Sequence, residues 1–208
     1  MTLRGLYVVT DHRCCSRAGL ARLEAALRGG ARLAQLRCKP SVPDVAWGQA
    51  AVALGRQFGV PVLANDDAAY AAAIGADGVH LGRDDGSIAA ARACLGPRAL
   101  IGASCYASLE RARRMADEGA DYLAFGRFYP SVTKPGAVGA PVSILAAARA
   151  LGRPVVAIGG ILPDNGEALL AAGADMLAVI DGVFGQSDIE AAARSYLPLF
   201  RSDDESES

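Results

Sequence analysis

The chain is poor in several residue types that would each announce a chemistry. Histidine occurs twice in 208 residues, as His12 and His80. That excludes a zinc site built from several histidines, and no HExxH pair exists. Aromatic residues make up 6%, and the basic residues are scattered, which argues against a stacking platform for RNA or single-stranded DNA. Lys plus Arg is 21 and Asp plus Glu is 22, a formal net charge of −1. No overall basic field is available to hold nucleic acid or an anionic membrane, so any anion must be held locally. The five cysteines are Cys14, Cys15, Cys38, Cys94 and Cys105. Their number is odd and no CxxC pair occurs, which predicts neither a zinc ribbon nor a disulfide framework but reduced thiols in a cytoplasmic protein. Long apolar runs are also missing. The first, residues 6–9, is followed by Asp11, His12 and Arg13. It is too short for a signal peptide, and nothing approaches the roughly 18 apolar residues of a membrane span. No GxGxxG opens a helix, and GxxxxGK[ST] and GxSxG are absent.

What remains is an ordinary globular balance, 52% hydrophobic and 21% charged, with a regular alternation inside it. Apolar, β-branched runs of strand length fall at 6–10, 33–37, 60–64, 78–81, 99–103, 122–126, 155–158 and 176–180. Between them, segments rich in Ala, Leu, Glu and Arg predict helices at 17–28, 45–58, 67–74, 87–95, 108–118, 143–151, 164–172 and 188–196. Strict alternation implies a parallel sheet, since parallel strands need crossover connections. A weak repeat supports the count. Gly75-Ala76-Asp77, Gly119-Ala120-Asp121 and Gly173-Ala174-Asp175 each end a helix and open a strand, and Gly30-Ala31-Arg32 is a looser copy. The glycine suits a left-handed helix stop. Four copies of two βα units give a single α/β (β/α)8 TIM barrel over residues 1–200. A flavodoxin-like open sheet is the runner-up and would leave strands unused. Residues 201–208 are polar and acidic and predict a disordered tail.

In such a barrel the chemistry lies at the carboxyl ends of the strands, and unusual residues gather there. Gln35-Leu36-Arg37-Cys38-Lys39 follows strand two, Asn65-Asp66-Asp67 strand three, and His80 to Gly86 strand four. Ser104 follows strand five, and Ser131, Thr133 and Lys134 lie in a long loop after strand six. Gly159-Gly160 follows strand seven and Asp181-Gly182 strand eight. Each has a plain reading. Asp66 or Asp67, and Asp84 or Asp85, suit helix caps; Ser104 does too; His80 suits a packed core position; Gly159-Gly160 suits a tight turn. Together they suggest more. Carboxylates after two adjacent strands could converge on one hard cation, Mg²⁺, which takes one or two protein carboxylates plus substrate phosphates. Arg37, Lys39 and Lys134 suit phosphate oxygens. The turns after strands seven and eight match the barrel phosphate site built from backbone N–H groups.

These segments, with 75–82, 102–104, 122–127, 133–136 and 156–161, resemble the thiamine phosphate synthase family along the whole chain. The resemblance implies a (β/α)8 barrel transferase. It would join 4-amino-2-methyl-5-(hydroxymethyl)pyrimidine diphosphate to a thiazole phosphate, releasing diphosphate. It assigns Gln35, Leu36, Arg37, Cys38, Lys39 and Asn65 to the pyrimidine diphosphate, Ser104 to the same site, and Asp66 and Asp85 to Mg²⁺. It places Ser131, Val132, Thr133, Gly159, Gly160, Ile180 and Asp181 at the thiazole phosphate. Lys134 falls on the diphosphate, and Arg37, Lys39 and Lys134 would stabilise the departing charge. The partners implied are small molecules, with no nucleic acid and no membrane; association into a homo-oligomer is left open.

Departures occur at Cys38, Arg83, Tyr106, Val132 and Asp181. A carboxylate at 181 would repel phosphate, so its side chain is expected to turn outward. Cys38 is expected to be neither a nucleophile nor half of a disulfide, because the reaction needs no thiolate. Two rival functions share this barrel. A thiazole tautomerase would use a histidine where Tyr106 stands, and a non-catalytic sensor of phosphate ligands would not need the two carboxylates.

Overall fold

The computed structural model of the protein describes residues 3–39, 44–130 and 139–201. Eight parallel strands close into a barrel in the order β1 to β8. They are β1 Gly5–Val9, β2 Leu33–Leu36, β3 Val62–Asn65, β4 Gly78–Leu81, β5 Leu100–Tyr106, β6 Tyr122–Gly126, β7 Val155–Ile158 and β8 Met176–Val179. Helices α1 Leu20–Arg28, α2 Val45–Gln57, α3 Ala68–Ile74, α4 Ile88–Leu95, α5 Leu109–Asp117, α6 Ser143–Arg149 and α7 Gly166–Ala171 fill the crossovers. A one-turn helix, α8 Asp181–Phe184, follows β8 where the sequence reads as a turn, and α9 Ile189–Arg194 precedes the C-terminal segment. Of the tail read from sequence at 201–208, Arg201 is described and residues 202–208 lie outside the described residues.

Alternation along each strand splits the core in two. Leu6 and Val8 face the helix layer, whereas Tyr7 and Val9 face the barrel interior with Leu33, Leu63, Tyr122, Val156 and Met176. Towards the carboxyl ends the inner positions turn polar, as Gln35, Asn65, His80 and Ser104. β5 runs longer than expected, and its pairing with β6 shifts register between Ser104 and Tyr106. That irregularity re-aims the chain at the rim, a usual role of bulges.

The Gly-Ala-Asp repeat has a structural explanation at the opposite rim. Gly75 ends α3 in the left-handed conformation, φ +66°. Asp77 then accepts a hydrogen bond from the Val62 N–H at 2.8 Å. Asp121 does the same for Ile101 at 2.7 Å, and Asp175 for Val155 at 2.7 Å. Each aspartate thus ties the foot of an even strand to the odd strand before it. At the looser copy Arg32 replaces the aspartate and keeps only the backbone bond, from its N–H to the Leu6 carbonyl, that the three aspartates also make to Val62, Ile101 and Val155.

One expectation from composition fails. Cys15, in the loop after β1, and Cys38, after β2, form a disulfide, with Cα atoms 5.7 Å apart. Neither the odd count nor the absence of CxxC could reveal this. The two residues are 23 apart in sequence and meet only because neighbouring barrel strands bring their loops together. Cys14 and Cys105 are buried free thiols and Cys94 is exposed. Burial pushes the Cys14 thiol up to about 11 and that of Cys105 up to about 12, so neither ionises readily.

Candidate active site

Two adjoining cavities open at the carboxyl rim. The larger, about 330 Å³, is lined by Gln35, Arg37, Lys39, Asn65, Asp66, His80, Asp85 and Ser104, with further residues of the β5–β8 ends. The smaller, about 200 Å³, is lined by Pro130, Gly159, Gly160, Ile180, Asp181 and Gly182 among others. Gly159 and Ile180 belong to both walls.

The β3 end settles an ambiguity that sequence left open. Asp67 caps α3, accepting from the Tyr70 N–H at 2.9 Å, which leaves Asp66 to face the cavity. Asp66 sits in the left-handed region at φ +67°, with its N–H bonded to the His80 carbonyl at 2.8 Å. On the next strand Ser87, not Asp84 or Asp85, caps α4. Asp85 folds back instead, and its Oδ2 accepts the Gly82 N–H at 2.8 Å. Gly82 must lack a side chain there, since a Cβ would stand 2.5 Å from that oxygen. The Asp66 and Asp85 carboxyl groups lie close enough for each to shift the other's protonation. Lys39 Nζ lies 2.8 Å from Asp66 Oδ2. Burial pushes Asp66 up, but hydrogen bonds from Lys39, Asp85 and Asn65, with the Lys39 charge, outweigh it and hold the group below the usual carboxylate range. Burial and the neighbouring Asp66 push Asp85 above that range. Two carboxyl groups so close favour a shared positive charge. Among the described residues no group of three or more His, Cys, Asp or Glu side chains converges. The donor set is therefore two carboxylates beside an open cavity.

Arg37 and Lys39 stand on the same rim. Thr10 Oγ1 accepts the Arg37 N–H at 2.8 Å and lies 3.2 Å from the Arg37 carbonyl, to which it can donate, so β1 fixes the backbone of this segment. On either side of Arg37 the Leu36 and Cys38 side chains turn away into the core packed against the helices. Ser131, Val132, Thr133 and Lys134 lie outside the described residues.

The glycine pair also has a steric reason. Gly159 and Gly160 have φ of +107° and +67°. A Cβ on Gly160 would meet the Pro130 carbonyl oxygen at 2.3 Å. Asn165 pins the turn by donating to the Gly160 carbonyl at 3.1 Å and accepting the Leu162 N–H at 2.9 Å. Asp181 opens α8 at this cavity, and its Oδ1 lies 3.4 Å from Arg13 Nη2. Arg13 is itself clamped by Asp11, to which its Nε donates at 2.7 Å. Arg13 therefore offsets the Asp181 charge, a contact with no local signature in the sequence.

Further residues shape the site through contacts between strand ends, and of these Arg111 belongs to no motif read from the sequence. Arg111 ties the β4 and β5 ends together, donating to the Ser104 carbonyl at 2.7 Å and the Gly82 carbonyl at 2.9 Å. The Arg83 guanidinium lies over the Tyr106 ring, 4.8 Å from its centroid. Arg127 lines the larger cavity. His80, plain in sequence, is hydrogen-bonded through both ring nitrogens.

A closed parallel barrel, with a carboxylate- and cation-lined cavity beside a glycine-walled one, defines the class of (β/α)8 proteins that handle phosphorylated small molecules at the carboxyl rim. The chain belongs to the thiamine monophosphate synthase family, whose model matches residues 6–183. It is 51% identical to the thiamine-phosphate synthase of Marinobacter nauticus over 197 residues, covering 92% of this chain and 89% of that one. It is also 51% identical to that of an Azoarcus species over 201 residues, covering 95% and 98%. A thiamine phosphate pyrophosphorylase structure from Pyrococcus furiosus superposes with TM-score 0.84 at 34% identity, covering 96% of both chains. A Streptococcus mutans structure described as KGPDC, at 14% identity, 93% and 96% coverage and TM-score 0.73, shares the fold.

Proposed function

We propose that this chain joins 4-amino-2-methyl-5-(hydroxymethyl)pyrimidine diphosphate to 4-methyl-5-(2-phosphooxyethyl)thiazole, giving thiamine phosphate and diphosphate. The observation that carries the reading is the Asp66–Asp85 pair facing Lys39 over a cavity whose wall includes Gln35, Asn65 and Ser104. Oxygen-only donors and two carboxylates fit Mg²⁺, with diphosphate oxygens completing its shell. Bound there, the ion would neutralise charge on the departing diphosphate.

The chain's own residues supply the rest. Arg37 and Lys39 hold the diphosphate and, with Lys134, stabilise the charge that develops as the C–O bond breaks. Gln35 and Asn65 orient the pyrimidine, whose amino group stabilises the resulting cation. Backbone groups of Gly159, Gly160, Ile180 and Asp181, with Ser131, Val132 and Thr133, hold the thiazole phosphate so that its ring nitrogen faces that cation. Holding the two rings together makes attack effectively intramolecular and excludes competing water. No side-chain nucleophile is needed. Cys38, tied to Cys15, does not serve as one.

Tyr106 stands at the position where the tautomerase reading needs a histidine to move the proton. The retained carboxylate pair argues against a ligand sensor. No described helix is long and apolar enough to cross a membrane. The deciding experiment is a coupling assay with both substrates and Mg²⁺, with EDTA as control. Product that forms equally well in EDTA would remove the metal from the reading, and no product under any divalent cation would remove the reaction.

A further inference from the structure

A line of buried polar groups crosses the barrel just below the larger cavity. Gln35 Nε2 donates to the Tyr7 hydroxyl at 2.7 Å. The Tyr7 and Tyr122 hydroxyls are 2.9 Å apart. Tyr122 Oη is 2.8 Å from His80 Nδ1, and His80 Nε2 is 2.8 Å from Ser104 Oγ. The five residues come from β2, β1, β6, β4 and β5. Gln35, His80 and Ser104 reach the cavity wall, whereas Tyr7 and Tyr122 are sealed inside the barrel at 1% and 0% exposure. Room for the chain is built in, because a Cβ on Gly102 would fall 1.9 Å from the Tyr122 ring.

The direction of the chain follows from its first member. An amide NH₂ only donates, so Tyr7 Oη accepts from Gln35; its own buried proton needs an acceptor, and Tyr122 Oη is the other partner of that hydroxyl. Tyr122 then gives its proton to His80 Nδ1. With Nδ1 accepting, the ring proton sits on Nε2 and is donated to Ser104 Oγ. The Ser104 proton is left to point into the cavity. Burial raises both phenol pKa values, so both tyrosines keep the protons that the chain requires.

We propose that Tyr7, Tyr122 and His80 form a one-way hydrogen-bond chain that fixes His80 as its Nε2–H tautomer, and so presents Ser104 as a donor and Gln35 Oε1 as an acceptor to the bound pyrimidine diphosphate. The inference rests on the functional reading above and deepens it. In that reaction the leaving diphosphate gains negative charge and the pyrimidine amino group gains positive character. The chain ends in a donor and an acceptor, the two polarities this separation of charge calls for. Run the other way, it would offer a lone pair to the diphosphate and an NH₂ to the amino group. Tyr122 and His80 are thus positioning residues.

The test reads the tautomer directly. With only His12 and His80 in the chain, ¹⁵N-labelled histidine gives two imidazoles, which a His12→Asn variant assigns. The expected spectrum of the wild-type protein shows His80 Nδ1 unprotonated and Nε2 protonated. Tyr7→Phe removes the proton that commits Tyr122 to donate and should weaken the tautomer preference at His80. Tyr122→Phe removes the donor and should let both tautomers populate. Its kcat should fall about tenfold with a smaller change in KM, the size of one lost hydrogen-bond preference. A wild-type His80 protonated on Nδ1 would overturn the proposal, and this result does not depend on any variant folding. So would a folded Tyr122→Phe protein with an unchanged tautomer and unchanged kcat. A wild-type protein with the expected tautomer but no coupling activity would count against the functional reading instead.

Discussion

Asp66 shows how much one backbone angle decides. In Asn65-Asp66-Asp67 two adjacent carboxylates look alike in sequence. The structure caps a helix with Asp67 and holds Asp66 left-handed, φ +67°, beside Asp85. A residue with a Cβ in that region carries a conformational cost, smaller for aspartate than for most because its short polar side chain can bond locally. Replacing Asp66 with Gly should therefore leave thermal stability unchanged or raise it, because the exposed Lys39 ion pair it sacrifices contributes little. The same variant should lose at least about 10²-fold in Mg²⁺-dependent coupling. Thermal melts and turnover measured on one preparation check both halves, and a stable variant with full activity would show that Asp66 has no part in the reaction. Gly82→Ala probes the partner carboxylate without touching its charge. The added methyl must displace Asp85 Oδ2, 2.5 Å away, so Mg²⁺-dependent turnover should drop while the carboxylate remains. At this scale the sequence named the carboxylates, the cations and the glycine pair. It could not separate Asp66 from Asp67 as cap and site residue, nor place Arg13 against Asp181, because local turn geometry and contacts between distant loops leave no local pattern.

Between elements, the loops after β1, β2 and β8 carry most of what the sequence hid. The strands and helices were legible because apolar runs and capping residues repeat with regular periods. The one-turn α8 and the longer β5 were not, since both depend on the register of the closed barrel. The Cys15–Cys38 bond joins the β1 loop to the segment that carries Arg37 and Lys39. It closes a 23-residue span, and in the chain-entropy account such a link contributes about 3 kcal/mol. For a chain of this size, reduction should lower Tm by roughly 6–12 °C. Calorimetry with and without a phosphine reductant measures it, and an unchanged Tm would show that the link contributes nothing. The β1 and β8 loops meet through Arg13 and Asp181. Arg13→Ala should expose the thiazole phosphate to the Asp181 carboxylate and raise its KM about three- to tenfold. Adding Asp181→Ser should return KM toward the wild-type value, because the variants act through one pair. Independent, additive effects in that double-mutant cycle would separate the two residues.

For the molecule as a whole, the barrel was readable from the alternation of elements, and the Gly-Ala-Asp repeat gave the count of units. What the repeat does became clear only when neighbouring strands were seen side by side. Each aspartate grips the strand before it, so β3 is fastened to β4, β5 to β6 and β7 to β8, always between neighbours in sequence. This pairing affects where the chain can be cut and rejoined. Gly119 and Gly152 both follow a helix and both face open space, so they are matched places for new termini once the old ends are bridged by a flexible linker. Opening at Gly152 falls between two fastened couples and leaves every aspartate contact local. Opening at Gly119 falls inside one and sends β5 and β6 to opposite ends of the permuted chain. The Asp121–Ile101 contact, 20 residues apart in the native order, would then have to form across nearly its full length. Closing that larger loop costs entropy before the contact rewards it. Stopped-flow refolding should find the Gly152 permutant close to the native rate and the Gly119 permutant slower, although both end in the same barrel.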